Sequence, residues 1–252
     1  MYYSGKLIVK NDEGVYERHE WGSLNKLLCN QTTGDANFTF GEITCASGKV
    51  RGPVEGDEAV HWLSGRGIFR AWPPCVPEDE PVTVRLRPGS EYYVRRDIRR
   101  TIENDGTEPL FGIFTFCHVD RPCHAHAFSH AAGVGNEVHR HGPDKMDMLV
   151  KQDFVEAMYL VEGPGAVTVA DPYNRTLSDH QVAEGSAVYH PLNSLHRQFN
   201  PAPTGKANFW IHAGYYHGAG RPTVGSFDMP EFAFWHREKI AKAVDSGKTV
   251  DS

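Results

Sequence analysis

The sequence predicts an all-β protein built as two consecutive units, with one short helix near the C-terminus. Three observations carry this. Short runs rich in Val, Ile, Phe, Tyr and Trp recur between Gly, Pro, Asn and Asp breaks, which is the pattern of strands joined by turns. The 252 residues include 25 Gly and 16 Pro, a supply of turn formers that suits many short strands. The rhythm occurs twice, over residues 38–119 and again after residue 135.

In the first unit the runs are FTFGEIT, AVHWL, GIFRAW, VTVRL, YYV and LFGIFTF; in the second they are EAMYLVEG, GAVTVA, SAVYH, HRQF and NFWIHAG. Two stretches read as helices. Ser23 to Asn30 opens on a serine suited to an N-cap, and Pro230 to Val244 opens on Pro-Glu and ends rich in Lys. The tail SGKTVDS reads as unstructured. Residues 119–134 are rich in Pro, His, Ala and Gly without a clear period and read as a linker, which places one unit at 1–120 and the other at 121–252.

Charge excludes whole classes of partner. With 26 Lys+Arg against 32 Asp+Glu the net charge is −6, a poor match to the phosphates of nucleic acid or an anionic membrane. No run approaches the roughly 18 apolar residues of a bilayer span. Lys6 interrupts the only apolar stretch near the start, so no signal-peptide core is expected. Five cysteines, without a C-x-x-C pair, suit reduced thiols and a cytoplasmic setting.

The chemistry concentrates in the second unit. GNEVHRH presents His139 and His141 two residues apart, so on a strand both imidazoles face one side. Glu156 opens the strand EAMYLVE and Gly163 closes it; GSAVYHPLNSLHRQFN supplies His196. Three imidazoles and a carboxylate form a mixed N/O donor set for Fe(II), Mn(II), Ni(II) or Zn(II). These segments resemble the two motifs of the cupin superfamily, G-x5-H-x-H-x3/4-E-x6-G and G-x5-P-x-G-x2-H-x3-N. The second motif runs from Gly185 through Pro191 and His196 to Asn200, with Asn193 at the inner glycine. The first matches at His139, His141, Glu156 and Gly163, but only three residues separate Gly135 from His139 and fourteen separate His141 from Glu156. Asp144 and Asp147 lie nearer the usual offset of the acid, though neither precedes a strand with a glycine turn.

The same frame fits the first unit without its histidines. Glu58 and Gly65 keep the E-x6-G spacing, Arg51 and Pro53 stand at the histidine pair, and Gly89, Arg95, Asp97, Arg100 and Asn104 follow the second motif. The resemblance therefore implies two tandem cupin (double-stranded β-helix, or jelly-roll) barrels, the first degenerate and the second holding one divalent metal per chain through His139, His141, Glu156 and His196. Fe(II) is favoured among the metals. A buried Glu58 without a metal needs a cation, and Arg100, with or without Arg51, is expected to supply it; the alternative is that Arg95, Arg96, Arg99 and Arg100 form a solvated loop.

Strand parity places Met158 and Leu160 beside Glu156, and Gln198 beside His196. The strand NFWIHAG presents either Trp210 and His212, or Phe209 and Ile211. Met158, Gln198 and Trp210 are the candidate substrate contacts. His212 and Tyr215 are the candidate acid/base residues, with Tyr216 and Lys145 as further options. The long insert between His141 and Glu156 is placed at the pocket mouth. His124 and His126, near Cys117, His118, Cys123 and His130, lack a following strand glutamate and are read as linker. The implied function is a metal-dependent enzyme on a small organic substrate. A non-haem Fe(II) dioxygenase comes first, an isomerase or lyase of a sugar, uronate or keto/enol substrate second, and a non-catalytic metabolite-binding cupin third. A homo-oligomer is compatible with all of them.

Overall fold

The computed structural model describes residues 6–52, 56–73, 77–119, 123–140, 154–170, 176–192, 194–216 and 232–236. The strands to residue 117 are β1 (Ile8–Val9), β2 (Val15–His19), β3 (Gly22–Leu28), β4 (Phe38–Cys45), β5 (Val50–Arg51), β6 (Asp57–Ser64), β7 (Gly67–Trp72), β8 (Val82–Leu86), β9 (Ser90–Val94), β10 (Arg99–Glu103) and β11 (Leu110–Cys117). The rest are β12 (Cys123–Phe128), β13 (Phe154–Glu162), β14 (Gly165–Ala170), β15 (Leu177–Val182), β16 (Ala187–His190), β17 (His196–Phe199), β18 (Phe209–Tyr216) and β19 (Phe232–His236). A four-residue helix, α1 (Asn30–Thr33), interrupts them.

Among the described residues these strands form four antiparallel sheets, ordered β5-β10-β7-β8, β19-β9-β6-β11-β4-β3-β2, β1-β16-β13-β18-β12 and β15-β14-β17. The first two sheets enclose one apolar core built around Trp62, Phe69, Tyr92, Ile102 and Phe114. The last two enclose another, around Met158, Leu160, Val167, Val188 and Trp210. A third core, with Leu27, Phe38, Phe40, Ile113, Tyr159, Tyr189 and Ile211, joins the two large sheets back to back. Alternation along each strand explains this double burial: Val60 and Trp62 face one way on β6 while Ala59 faces the other. Polar ties cross the same interface, since Tyr189 Oη and Tyr215 Oη donate to Asp35 Oδ2 at 2.8 and 3.0 Å and Tyr159 Oη donates to Glu42 Oε1 at 2.6 Å.

The two halves repeat one another strand by strand. Glu58 lies opposite Val94 on β6–β9, as Glu156 lies opposite His190 on β13–β16. Arg100 lies opposite Ala71, as His196 lies opposite Val169. Gly89 N–H donates to Trp62 O and Gly185 N–H to Leu160 O, each glycine at φ near +80° (82° and 80°). The amides of Asn104 and Asn200 make matching loop clasps, Asn104 Nδ2 to Cys45 O and Glu108 O, Asn200 Nδ2 to His130 O and Lys206 O.

Three expectations are corrected. Residues 23–28 are strand β3, not helix: a register shift between Lys26 and Leu28 buries Leu24, Leu27 and Leu28, a spacing that imitates a helical face. The stretch after Pro230 contains strand β19, which pairs with β9, because the aromatic run FAFWH prefers a sheet edge to a helix; the rest of that expected helix and the tail lie outside the described residues. The expected linker carries β12, whose outward Cys123, Ala125 and Ala127 pack in the interface core. Among the described residues no helix is long and apolar enough to cross a membrane.

Candidate metal centre

The interior of the second barrel gathers side chains from five strands and one bridge. His139 sits on a bridge to His196, Glu156 lies in the first turn of alternation of β13, and His196 begins β17. One donor atom from each of these three lies within 4.8 Å of the others. His141, Asp144, Asp147 and Lys145 lie outside the described residues, as do Pro53 and Asn193.

The hydrogen bonds fix which imidazole nitrogen faces the centre. His196 Nδ1 is 2.8 Å from Ser194 O and His139 Nδ1 is 2.8 Å from Glu137 O. A carbonyl only accepts, so both Nδ1 atoms carry the proton and both Nε2 atoms present a lone pair. His196 Nε2 then meets Glu156 Oε2 at 2.9 Å, with the histidine 1% and the glutamate 2% exposed. Two acceptors at that distance need a proton or a cation between them. Ring orientation by a carbonyl on the far nitrogen is what metal-ligating histidines usually show. The donor set fits a divalent transition metal.

Glu156 is further held by Gln198, whose Nε2 donates to Oε1 at 3.0 Å while its Oε1 accepts from Asn136 Nδ2 at 2.9 Å. His190 stacks on His196, with ring centroids 4.0 Å apart and an interplanar angle of 11°. His212 approaches from β18, its Nε2 3.6 Å from Glu156 Oε1. Its other nitrogen, Nδ1, lies 3.1 Å from His124 Nε2 and 3.0 Å from His126 Nε2. Burial lowers the pKa of His126, which favours its neutral form.

Met158, Gln198, Trp210 and His212 all face the barrel interior, so the Trp210–His212 parity is the one realised. Trp210 is fully buried opposite Leu160 and Phe128 and packs in the apolar core with Met158, Leu160 and Val167. Tyr215 points the other way, into the interface core, where burial and the Asp35 carboxylate push its phenol pKa up. It is a tie between the halves, not an acid/base group. The described cysteines are buried thiols, and burial drives Cys45 and Cys117 up to about 12, so neither of these two is activated as a nucleophile.

Sequence reasoning set His124 and His126 aside as linker and did not single out His190. The first two carry the same H-x-H spacing as His139 and His141, but their partner His212 lies 88 and 86 residues further along the chain.

In the first barrel the expected pair is present. Arg100 Nε donates to Glu58 Oε2 at 2.7 Å, Arg51 donates to Glu58 Oε1, and all three are at most 2% exposed. Arg100 also donates to Ile98 O and Gly56 O at 3.1 and 2.8 Å. Arg51 pairs with Ile102 on β10, two positions from Arg100, so it does not repeat the His139–His196 bridge.

This architecture, two antiparallel sandwiches with an acid and imidazoles inside the second, defines the cupin fold class. Solved structures of Bacillus subtilis oxalate decarboxylase share the fold. One described for its Mn(II) centres superposes with a TM-score of 0.64 at 9% identity, covering 86% of this chain and 79% of that one. Another, determined at pH 4.6, gives 0.65 at 8% identity over 98% and 84%. No family model and no curated protein matches the chain.

Proposed function

We propose that this chain is a two-cupin enzyme whose second unit holds a divalent transition metal through His139, Glu156 and His196, with His141 as a further donor, and that it acts as a lyase on a small carboxylate. The observation that carries the reading is His196 Nε2 facing Glu156 Oε2 at 2.9 Å with its Nδ1 proton committed to Ser194 O. A metal bound there supplies a Lewis acid for the substrate's oxygen atoms. Gln198 keeps the Glu156 carboxylate in place, and Met158 and Gln198 form the wall a substrate meets. His212, its side chain 17% exposed, turns Nε2 toward the same centre. It serves as the acid: a carbon–carbon bond beside a carboxylate breaks, carbon dioxide leaves, and the carbon that keeps the electron pair takes the proton from Nε2. The Mn(II) centres of the structurally similar oxalate decarboxylase support a lyase and a metal other than iron. A cytoplasmic setting and a homo-oligomer remain parts of this proposal.

A second reading, an Fe(II) dioxygenase, is favoured by the mixed imidazole–carboxylate donor set. Turnover of a panel of small dicarboxylates and 2-oxo acids by protein loaded with Mn(II) or Fe(II), with and without oxygen, separates the two. Anaerobic carbon dioxide release supports the lyase. Oxygen uptake stoichiometric with product selects the dioxygenase, and full activity in His196→Ala ends both.

A further inference from the structure

His124 and His126 on β12 and His212 on β18 form a second group of converging nitrogens inside the same barrel. β12 and β18 are adjacent and antiparallel, with His126 directly opposite His212. The period of two puts His124 on the same face as His126. Nothing about this group depends on the H-x-H–Glu frame of the centre at Glu156.

The geometry is that of three ligands around one point. The ring centroids are 4.9, 4.7 and 4.7 Å apart, close to an equilateral triangle. One ring nitrogen from each of His124, His126 and His212 lies within 4.8 Å of the others, and His212 Nδ1 is 3.1 Å from His124 Nε2 and 3.0 Å from His126 Nε2. An imidazole nitrogen offers one proton or one in-plane lone pair. His212 Nδ1 therefore can make one good hydrogen bond, yet two nitrogens approach it. A cation resolves this, since it accepts all three lone pairs at once. Zinc–imidazole bonds of about 2.0–2.1 Å in a tetrahedron set ligand nitrogens roughly 3.3 Å apart, near the spacing seen. All three histidines are half-buried, which leaves the fourth position reachable.

We propose that His124, His126 and His212 bind a second divalent transition-metal ion, of the zinc type. The site gives His212 two faces. Nδ1 is held by the second ion, which forces the proton onto Nε2, the nitrogen turned toward Glu156. The ion thus sets the tautomer that the acid role of His212 requires, and this part rests on the lyase reading; the metal site itself does not. It also revises the expectation of one metal per chain. Cys123, which the sequence places beside His124, is excluded as a ligand because it faces the interface core.

The test is metal counting on the full chain, stripped by chelator and reloaded with Zn²⁺ or Co²⁺ alone, read by elemental analysis and by the Co²⁺ visible spectrum. The unaltered protein is expected to hold two equivalents, His126→Ala one, and His196→Ala one. One equivalent lost in His126→Ala but kept in His196→Ala supports this site and ends the Glu156 centre. One equivalent kept in His126→Ala and lost in His196→Ala overturns this site and leaves the Glu156 centre standing. Counts unchanged by either substitution overturn both. Should His126→Ala not fold, ¹⁵N chemical shifts of the histidines during Zn²⁺ titration of the unaltered protein decide: a metal-type shift at His212 Nδ1 is expected, and its absence overturns the site.

Discussion

The two barrel interiors place the same acid in the same strand position and surround it with opposite chemistry. Glu58 in the first barrel is clamped by Arg51 and Arg100, which are permanent cations. Glu156 in the second faces His196, His212 and Gln198, groups that can exchange a proton, present a lone pair or donate a hydrogen bond. A guanidinium satisfies a buried carboxylate once and for all; an imidazole leaves a coordination position to be filled. One barrel ties its acid to two guanidinium groups, while the other sets it among imidazoles that could hold a metal. The difference lies in few side chains, since the strand pairings and the glycine and asparagine turns are shared.

The largest effect that would sharpen this contrast is at Arg100. Arg100→Ala strands Glu58 against Arg51 alone and is expected to cost about 3–5 kcal/mol in urea unfolding. Arg100→Met with Glu58→Leu should cost much less, and the coupling in a double-mutant cycle measures the pair. A cost under about 1 kcal/mol for Arg100→Ala would break the comparison. Next comes His196→Ala, expected to weaken metal binding at the Glu156 centre more than about 100-fold, or about 2.7 kcal/mol, by calorimetric titration, with little loss of apo stability. Stoichiometric, tight metal at that centre in the variant refutes the assignment.

Acid should also tell the barrels apart. Desolvation raises the pKa of Glu58, but Arg51 and Arg100 outweigh it, so the folded value lies below the ordinary 4.5. Its stabilising contribution is complete above the unfolded value and disappears as pH falls through the folded one. Stability measured below about pH 4.5 should therefore fall less steeply in Arg100→Met/Glu58→Leu than in the unaltered protein; parallel curves would show that Glu58 is not a principal acid-labile group. The smallest effect is at a shared turn. A methyl added at Gly185, where φ is +80°, would have Asn11 and Tyr159 as its nearest neighbours, at 3.5 Å or more, so Gly185→Ala should cost about 1 kcal/mol, from backbone strain. Gly163→Ala, where the methyl would meet Ala207 O at 2.9 Å, should cost more, and thermal unfolding of the two variants checks the order.

Most strands were legible because aromatic and β-branched runs end at turn residues whose conformation they require, as at Gly65 and Gly89. The Glu58–Arg100 pair was legible once the resemblance to the cupin frame placed both residues at ligand positions, because burying an acid there demands a nearby cation. The lost elements share a cause. The bulge in β3 gave Leu24, Leu27 and Leu28 a helical spacing, and β12 hid behind alternating Ala and His, residues with weak strand preference. His124, His126 and His212 could not be grouped because only sheet order makes neighbours of β12 and β18. Trp210 and His212 share a parity, and parity does not report depth, which is why one packs in the apolar core and the other reaches Glu156.

Strand order at the two ends of the chain carries a last consequence. β1, from the N-terminus, adds to β16 of the second barrel, and β19, beyond the second barrel, adds to β9 of the first. Each half thus borrows an edge strand from the other, as two people hold each other's sleeve. Cutting the backbone between β11 and β12 would leave two polypeptides that still complete one another's sheets. Such a nicked molecule should migrate as one particle until denaturant is added, and the separate halves, each lacking a borrowed strand, should regain their fold only when mixed.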